Sequence, residues 1–350
     1  MKRTGYIFEK ICEIGNVEEA IRRSSVGKRD KEYVRRILAR PDYYAGKIRK
    51  VLIERSYVPS PYTIKTIQDR SSNKERTIYK PRYYPDQIIH WALMLQLHDV
   101  IMRGMYDYTC GSVPGRGTSY GQRALRRWLD RDYKGTKYCL KMDASKFYQS
   151  VDHEILKAML RTRIKDPGCL WLLDAIIDSG PQGLPIGNYT SQWLSNFFLQ
   201  DLDHLIKERF GAKYYMRYVD DMVILGSNKR KLHQIRKSVS EYLEAVHLSL
   251  KPDWQVFLVT KRAIDFLGLR FFRDKTILRK RNALRIRRRI KKISRKDAMS
   301  RQDACAIVSY WGWIKRSNSY RFYNKYFKPA TSIRFAKGMV SYYGGLRAGS

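Results

Sequence analysis

Three aspartates stand where aspartates are seldom found. Asp220 and Asp221 interrupt the apolar run YYMRYVDDMVILG at 214–226, and Asp143 ends a second short apolar run, YCLKMD. Side chains alternate faces along a strand, so two adjacent acids serve one site only where the backbone turns between them. The run therefore predicts a β-hairpin with Asp220 and Asp221 at its tip. Aspartate is a favoured turn residue, and an exposed turn is the plain alternative. A tip flanked by core strands instead crowds carboxylates that repel one another unless a cation lies between them. If the strand ending at Asp143 neighbours the hairpin, Asp143 and Asp220 converge at one sheet edge, and such oxygen ligands suit Mg²⁺. Two such ions a few ångströms apart can align an attacking hydroxyl with a departing pyrophosphate, which is the chemistry of nucleotidyl transfer.

The charge balance says what such chemistry would act on. The chain of 350 residues carries 70 Lys and Arg against 33 Asp and Glu, a formal charge of +37. That excess calls for a polyanionic partner, nucleic acid before an anionic membrane surface. Aromatic and basic residues interleave in YKPRYYPD (79–86) and YRFYNKYFK (320–328), a mixture in which rings stack on bases and cations meet phosphates. Solvated surface is the bland alternative for either segment. Cys12, Cys110, Cys139, Cys169 and Cys305 are odd in number, widely spaced and without a C-x-x-C pair. They predict reduced buried thiols, with neither a disulfide framework nor a zinc site. No apolar run nears the roughly 20 residues of a membrane span, and the opening MKRTGYIFEK lacks the apolar stretch of a signal peptide. A cytoplasmic protein, off the membrane, is expected.

The elements that must position the acids can be read from periodicity. Residues 1–57 read as helices with basic residues between the apolar positions, and 62–81 alternates and turns at Ser71, Ser72 and Asn73 as a hairpin would. A helix over 86–105 starts at Asp86, and the Gly-rich loop CGSVPGRGTSYGQRAL leads into another. A short strand over 137–143 precedes a helix for which Asp152 reads as the cap. A loop and long helix over 183–210 come before the acid hairpin, and a helix over 229–246 follows it. LSLKPDWQVFLVT and AIDFLGLRFF supply further strands. From about 276 the composition shifts, and RKRNALRIRRRIKKISRK (279–296) is mostly Lys and Arg, with Ile286, Ile290 and Ile293 forming a thin apolar seam. This predicts a separate small helical unit that grips a nucleic-acid backbone through Arg279, Arg285, Arg287, Arg288, Arg289, Lys291 and Lys292. A solvated helix is the bland reading.

Taken together, these segments resemble the motifs of reverse transcriptases. YVDD resembles their Tyr-x-Asp-Asp box, and LKMDASKFYQSVD their first catalytic motif, with an aromatic residue five after the acid. KERTIYKPRYYPDQIIHWAL resembles the finger segment, GSVPGRGTSYG the loop after it, GLPIGNYTSQWLSNFFL the segment before the box, LSLKP the lysine-bearing motif and DFLG the primer grip. The resemblance covers nearly the whole chain and implies an α+β right-hand polymerase. N-terminal helices and fingers, with part of the palm, would occupy 1–136, a palm with an antiparallel sheet 137–275, and a basic helical thumb 276–350. It further implies that Asp143 and Asp220 are the principal ligands of two Mg²⁺ ions, for which Mn²⁺ can substitute. The carbonyl of Ala144 would join them, with Asp221 a secondary ligand or electrostatic support. Lys74 and Arg76 would contact the triphosphate of the incoming dNTP, and Tyr148 would lie under its sugar as a gate against a 2′-hydroxyl. Lys251 would offer a proton to the departing pyrophosphate.

The segment IGNYTSQ (186–192) discriminates within the family. Ile186 and Gln192 stand where most bacterial and retroviral members have Gln and Pro, and with Gly187 and Ser191 the pattern resembles reverse transcriptases of diversity-generating retroelements. A Gln at that place could hydrogen-bond the nucleotide sugar, whereas Ile offers only apolar contact. Losing such a bond removes on the order of 0.5–1.5 kcal/mol of discrimination. The resemblance thus implies error-prone copying of a template-repeat RNA into adenine-mutagenised cDNA, with a small basic helical oligomer as accessory protein. No RNase H or endonuclease segment is apparent. A group II intron-like or phage-defence reverse transcriptase is the second reading. An idle RNA-binding protein with a polymerase fold is the third, and the presence of all three acids counts against it.

Overall fold

A computed structural model of the chain describes residues 3–69 and 74–346. Strands β1 (Thr63–Asp69) and β2 (Lys74–Lys80) pair antiparallel as a hairpin; its expected turn at Ser71, Ser72 and Asn73 lies outside the described residues. The central sheet runs in the order β3-β5-β6-β4-β7. Its strands are β3 (Thr109–Cys110), β4 (Tyr138–Asp143), β5 (Tyr214–Tyr218), β6 (Asp221–Gly226) and β7 (Gln255–Leu258). All its pairings are antiparallel except that of β3 with β5.

Period-two alternation divides the sheet's residues between two cores. Leu140, Met142, Tyr215, Met222 and Ile224 face a core shared with the helices Ile88–Met102, Tyr189–Phe198 and Lys229–Ala245. Cys139, Tyr214, Met216, Val223 and Leu225 face a second core, closed by the helices Thr118–Arg131, Lys280–Ile293 and Arg301–Ile314. Because both faces are covered, these strands read as unbroken apolar runs.

A three-stranded antiparallel sheet follows, made of β8 (Ile264–Phe266), β9 (Leu269–Phe271) and β10 (Thr276–Leu278). The composition change near 276 therefore coincides with the third strand of this sheet. Ile286, Ile290 and Ile293 are buried, as the seam required, but in the same core as Met216 and Val223 of the central strands. The basic helix thus extends that core and does not form a separate one.

Several local expectations are corrected by packing. The strand expected through LSLKPDWQVFLVT is confined to β7, preceded by an isolated bridge between Ala144 and Leu250. Cys12, Cys110, Cys139 and Cys169 are buried thiols, but Cys305 is exposed. Some of the rings expected to stack on bases are committed to packing: Tyr83 and Phe327 are buried and Tyr323 stacks on Phe327, whereas Tyr320 is exposed. Asp86 does not cap a helix. It is buried within the π-helical turn Tyr83–Gln87, where its Oδ1 accepts from the Tyr57 hydroxyl at 2.9 Å and the Ser60 N–H at 3.1 Å. Asp152 does cap the helix His153–Arg163, accepting from the N–H groups of Glu154 and Ile155. Among the described residues no helix is long and apolar enough to cross a membrane.

Among the described residues the largest fully buried side chain is charged. Arg217, in β5, donates to both carboxylate oxygens of Asp203 at 2.8 and 2.6 Å, and both side chains are 0% exposed. Asp203 also accepts from Thr109 of β3 and Tyr215 of β5, while Arg217 reaches the side-chain and backbone oxygens of Asn196. Removing one partner of such a pair strands a buried charge. Arg217→Met should therefore lose about 3–5 kcal/mol in urea unfolding, and adding Asp203→Leu should recover part of that loss; a double variant that loses the sum of two large single losses would contradict the pairing.

Candidate active site

The acid hairpin turns where alternation required. Tyr218 pairs with Asp221, so Val219 and Asp220 form a two-residue loop, and Asp143, the last residue of β4, lies directly across from Asp221. Val219 has φ +59°, a left-handed conformation that a β-branched side chain resists at a cost of about 1–3 kcal/mol. Two bonds hold it there. The Val219 N–H donates to the Cys110 carbonyl at 3.2 Å, and the Val219 carbonyl accepts from Arg217 Nη1 at 2.8 Å. The buried arginine therefore grips the turn that carries Asp220.

The resulting site gathers negative charge on three half-buried side chains. Burial, reinforced by the charge of Asp143 and a hydrogen bond with it, pushes Asp220 up to about 7, while Lys251 opposes the shift. Burial likewise pushes Asp221 up to about 7, against the pull of Lys141, whose Nζ lies 3.8 Å from Asp221 Oδ1. Asp143 Oδ1 and Asp221 Oδ1 are both buried without a hydrogen-bond partner. Crowded acids with unsatisfied oxygens are what a divalent cation would relieve. Among the described residues no three His, Cys, Asp or Glu side chains form a ready cage; Mg²⁺ held by one or two carboxylates and completed by water and phosphate oxygens needs none.

Lys251 reaches the acids through the backbone. Its N–H donates to the Asp143 carbonyl at 2.9 Å, the Ser145 N–H donates to the Ser249 carbonyl at 2.8 Å, and its ammonium forms an ion pair with Asp143 Oδ2. Neither backbone bond uses the carbonyl of buried Ala144, which lies between them. A cleft of about 750 Å³ opens beside Asp143 and is lined also by Lys141, Trp254, Arg262, Asp265 and Arg279.

Tyr148 is partly buried close to this centre. Its hydroxyl lies 3.2 Å from Ser195 Oγ, and burial, with the nearby charge of Asp220, raises its pKa. Its carbonyl approaches Gly183 so closely that a Cβ there would lie 2.3 Å away. The Ile186 carbonyl accepts from the Tyr79 N–H at 2.8 Å, and at Gly187, with φ +134°, a Cβ would meet the Tyr79 carbonyl at 2.3 Å. This close approach joins the segment bearing Ile186 to β2, the strand that carries exposed Arg76. The Lys74 side chain lies outside the described residues. Ser191 is buried; the Gln192 side chain is exposed, and its carbonyl accepts from Ser195 and Asn196.

The seven cations of the basic helix have unlike surroundings. Arg279 donates to Asp265 at 2.7 Å and Arg289 to Asp303 at 2.6 Å. Arg285 lies over the Trp313 ring and Arg287 over Tyr326, while Arg288, Lys291 and Lys292 are exposed. Sequence reasoning missed the pairs that occupy Arg279 and Arg289, and it missed Arg217. The last had a signal: an arginine inside an apolar run is as anomalous as the acids beside it.

The family model described as reverse transcriptase (RNA-dependent DNA polymerase) matches residues 73–271. The chain belongs to the reverse transcriptase family. Its α+β architecture is the right-hand polymerase fold of that family. The reverse transcriptase is 22% identical over 283 residues to protein YkfC of Escherichia coli (strain K12), covering 68% of this chain and 71% of that protein. It is 23% identical over 212 residues to the group II intron-encoded protein LtrA of Lactococcus lactis subsp. cremoris, covering 56% of this chain but 35% of LtrA. It is 26% identical over 217 residues to the retron Ec73 reverse transcriptase of Escherichia coli, covering 57% and 65% of the two chains.

The raised carboxylates make metal-free stability depend on pH. Asp220 and Asp221 hold protons up to about pH 7 in the folded protein but only to about pH 4 in an unfolded chain. The folded state therefore binds more protons over that window, and its stability falls as pH rises through it. The wild type without metal should lose melting temperature relative to Asp220→Asn/Asp221→Asn between pH 5 and 8, and Mg²⁺ should restore more of it at pH 8 than at pH 6. A wild type that gains on the variant as pH rises would contradict this sign.

Proposed function

We propose that this reverse transcriptase is an error-prone RNA-directed DNA polymerase that copies a template-repeat RNA into adenine-mutagenised cDNA, as in diversity-generating retrohoming. The observation that supports the chemistry is the meeting of Asp143, Asp220 and Asp221 at adjoining strand ends, with two carboxylate oxygens buried and unsatisfied. Asp143 and Asp220 would hold two Mg²⁺ ions, or Mn²⁺, with help from Asp221 and the Ala144 carbonyl. Bound there, the ions would neutralise the triphosphate and acidify the primer hydroxyl. Lys74 and Arg76 would clamp the phosphates of the dNTP, and Tyr148 would form the floor under its sugar. Lys251, already paired with Asp143, would be placed to give a proton to the pyrophosphate. The fingers would be carried by 1–136, the palm by 137–275 and the thumb by 276–350. Template RNA, the growing cDNA and a small basic helical accessory oligomer would be its partners in the cytoplasm.

Support for low fidelity rests on Ile186, an apolar side chain on the segment that touches β2. An apolar contact cannot report a misaligned sugar as a hydrogen bond would. Dependence of dNTP incorporation on Mg²⁺ or Mn²⁺, with template RNA and any required partner present, tests the chemistry. Asp220→Ala should abolish incorporation, and activity that survives this change would sink the assignment. Ile186→Gln should lower misincorporation at template adenines several-fold, and Arg76→Ala should change rate or fidelity; an unchanged error spectrum for Ile186→Gln would refute its role. The likeness to LtrA and to the retron enzyme favours a second reading, an intron-type or phage-defence reverse transcriptase. That reading expects few adenine errors in the wild type. Binding of RNA without incorporation under any partner condition would point to an idle RNA-binding protein.

A further inference from the structure

A second basic cleft, of about 630 Å³, lies between the helix Thr118–Arg131, the β9–β10 turn and the chain that follows the helix Arg301–Ile314. It shares no lining residue with the cleft beside Asp143, and no residue of the acid-bearing strands β4 and β6 lines it. Arg123, Arg127 and Arg131 project into it from successive turns of one helix, and Lys315 and Arg316 face them from the other wall. Two acids also line it, Asp130 and Asp274, but each is already engaged, Asp130 by Arg126 and Asp274 by Lys275. The positive charge of the cleft is therefore in clear excess.

The walls are tied together before any ligand arrives. Arg126 donates to the carbonyls of Phe272 and Arg273 at 2.8 and 2.7 Å, joining the helix to the turn. Thr276 and Asn318 exchange two bonds, of 2.8 and 2.6 Å, joining the turn to the opposite wall. Two lining residues keep a polar atom buried and unsatisfied: Thr276 Oγ1 and Gln122 Oε1, on side chains only 2% exposed. A fixed, cation-lined cleft suits phosphate oxygens arrayed along a backbone.

We propose that this cleft binds the phosphate backbone of a folded segment of RNA, separately from the template–primer held at the catalytic acids. The choice of RNA as the polyanion rests on the polymerase reading above; the site itself rests on the cleft. Its function would be to hold the structured RNA while another part of the molecule is copied.

The test compares the wild type with Arg123→Gln/Arg127→Gln/Arg131→Gln, in complex with any partner that the wild type needs. Arg126 is left in place to keep the walls joined. Fluorescence anisotropy with a long structured RNA should show about tenfold weaker binding, and the slope of log affinity against log salt should fall by about 2–3, as expected for three lost phosphate contacts. Extension of a short primed template, too small to reach the cleft, should keep its rate. Arg127→Gln/Lys315→Gln, drawn from both walls, should give a smaller loss in the same direction, with an unchanged melting temperature in both variants.

Unchanged RNA affinity and salt slope would overturn the proposal. So would a parallel loss of short-template extension, since the arginines would then serve the catalytic cleft. Competition by inorganic phosphate as effective as that by RNA would make it a small-anion site, and loss of binding only to phosphatidylserine vesicles would make it a membrane contact; either result removes RNA as the occupant. Absence of dNTP incorporation by the wild type on every template would overturn the polymerase reading and leave the RNA-binding comparison standing on its own.

Discussion

Buried pairing of Arg217 with Asp203 is the interaction on which the geometry of the acid hairpin depends. The guanidinium spends two of its bonds on one carboxylate and others on Asn196 and the Val219 carbonyl. One side chain thus ties β5 to the helix Tyr189–Phe198, to the segment that carries Asp203, and to the strained turn between Tyr218 and Asp221. Asp203 completes the connection by accepting from Thr109 of β3. A β-branched residue at positive φ next to an acid would relax if held by one bond alone; it persists because its surroundings determine it from both sides.

The constraint matters because the site works against its own charges. Asp220 and Asp221 are raised toward neutrality by burial and by the nearby charge of Asp143, so the fold must hold together groups that would separate in solution. Lys141 and Lys251 offset part of the repulsion, and a cation would offset the rest. Strength stored in the two apolar cores, one on each face of the sheet, makes this arrangement tolerable. Elsewhere the few acids of this basic chain act as anchors: Asp265 and Asp303 each hold an arginine of the basic helix, which leaves Arg288, Lys291 and Lys292 facing solvent.

A second junction couples β2 to the segment that bears Ile186, parts that are far apart in the chain. The contact of Gly187 with Tyr79 admits no side chain, and the bond from Tyr79 to the Ile186 carbonyl fixes the register between β2 and the segment before the acid hairpin. Residues of β2 and residue 186 therefore share one mechanical connection. Substitutions there act on both, and their effects on rate and fidelity should not be treated as additive.

Local order made much of this legible. Alternation across two covered faces identified β4, β5 and β6, the turn at the adjacent acids followed from the same rule, and Asp152 as a cap followed from its place before a helical period. Alternation also marked the hairpin of β1 and β2. Tertiary packing alone decided which charged and aromatic groups were already taken. Asp86 ties down Tyr57 and Ser60, Arg289 meets Asp303, Phe327 is core, and β10 exists because β9 offers it an edge. Each depends on a partner distant in sequence or on burial by several elements at once. Periodicity is a property of neighbours along the chain and could be read from it; the pairing of a charge is a property of neighbours in space, and only the folded molecule supplies those.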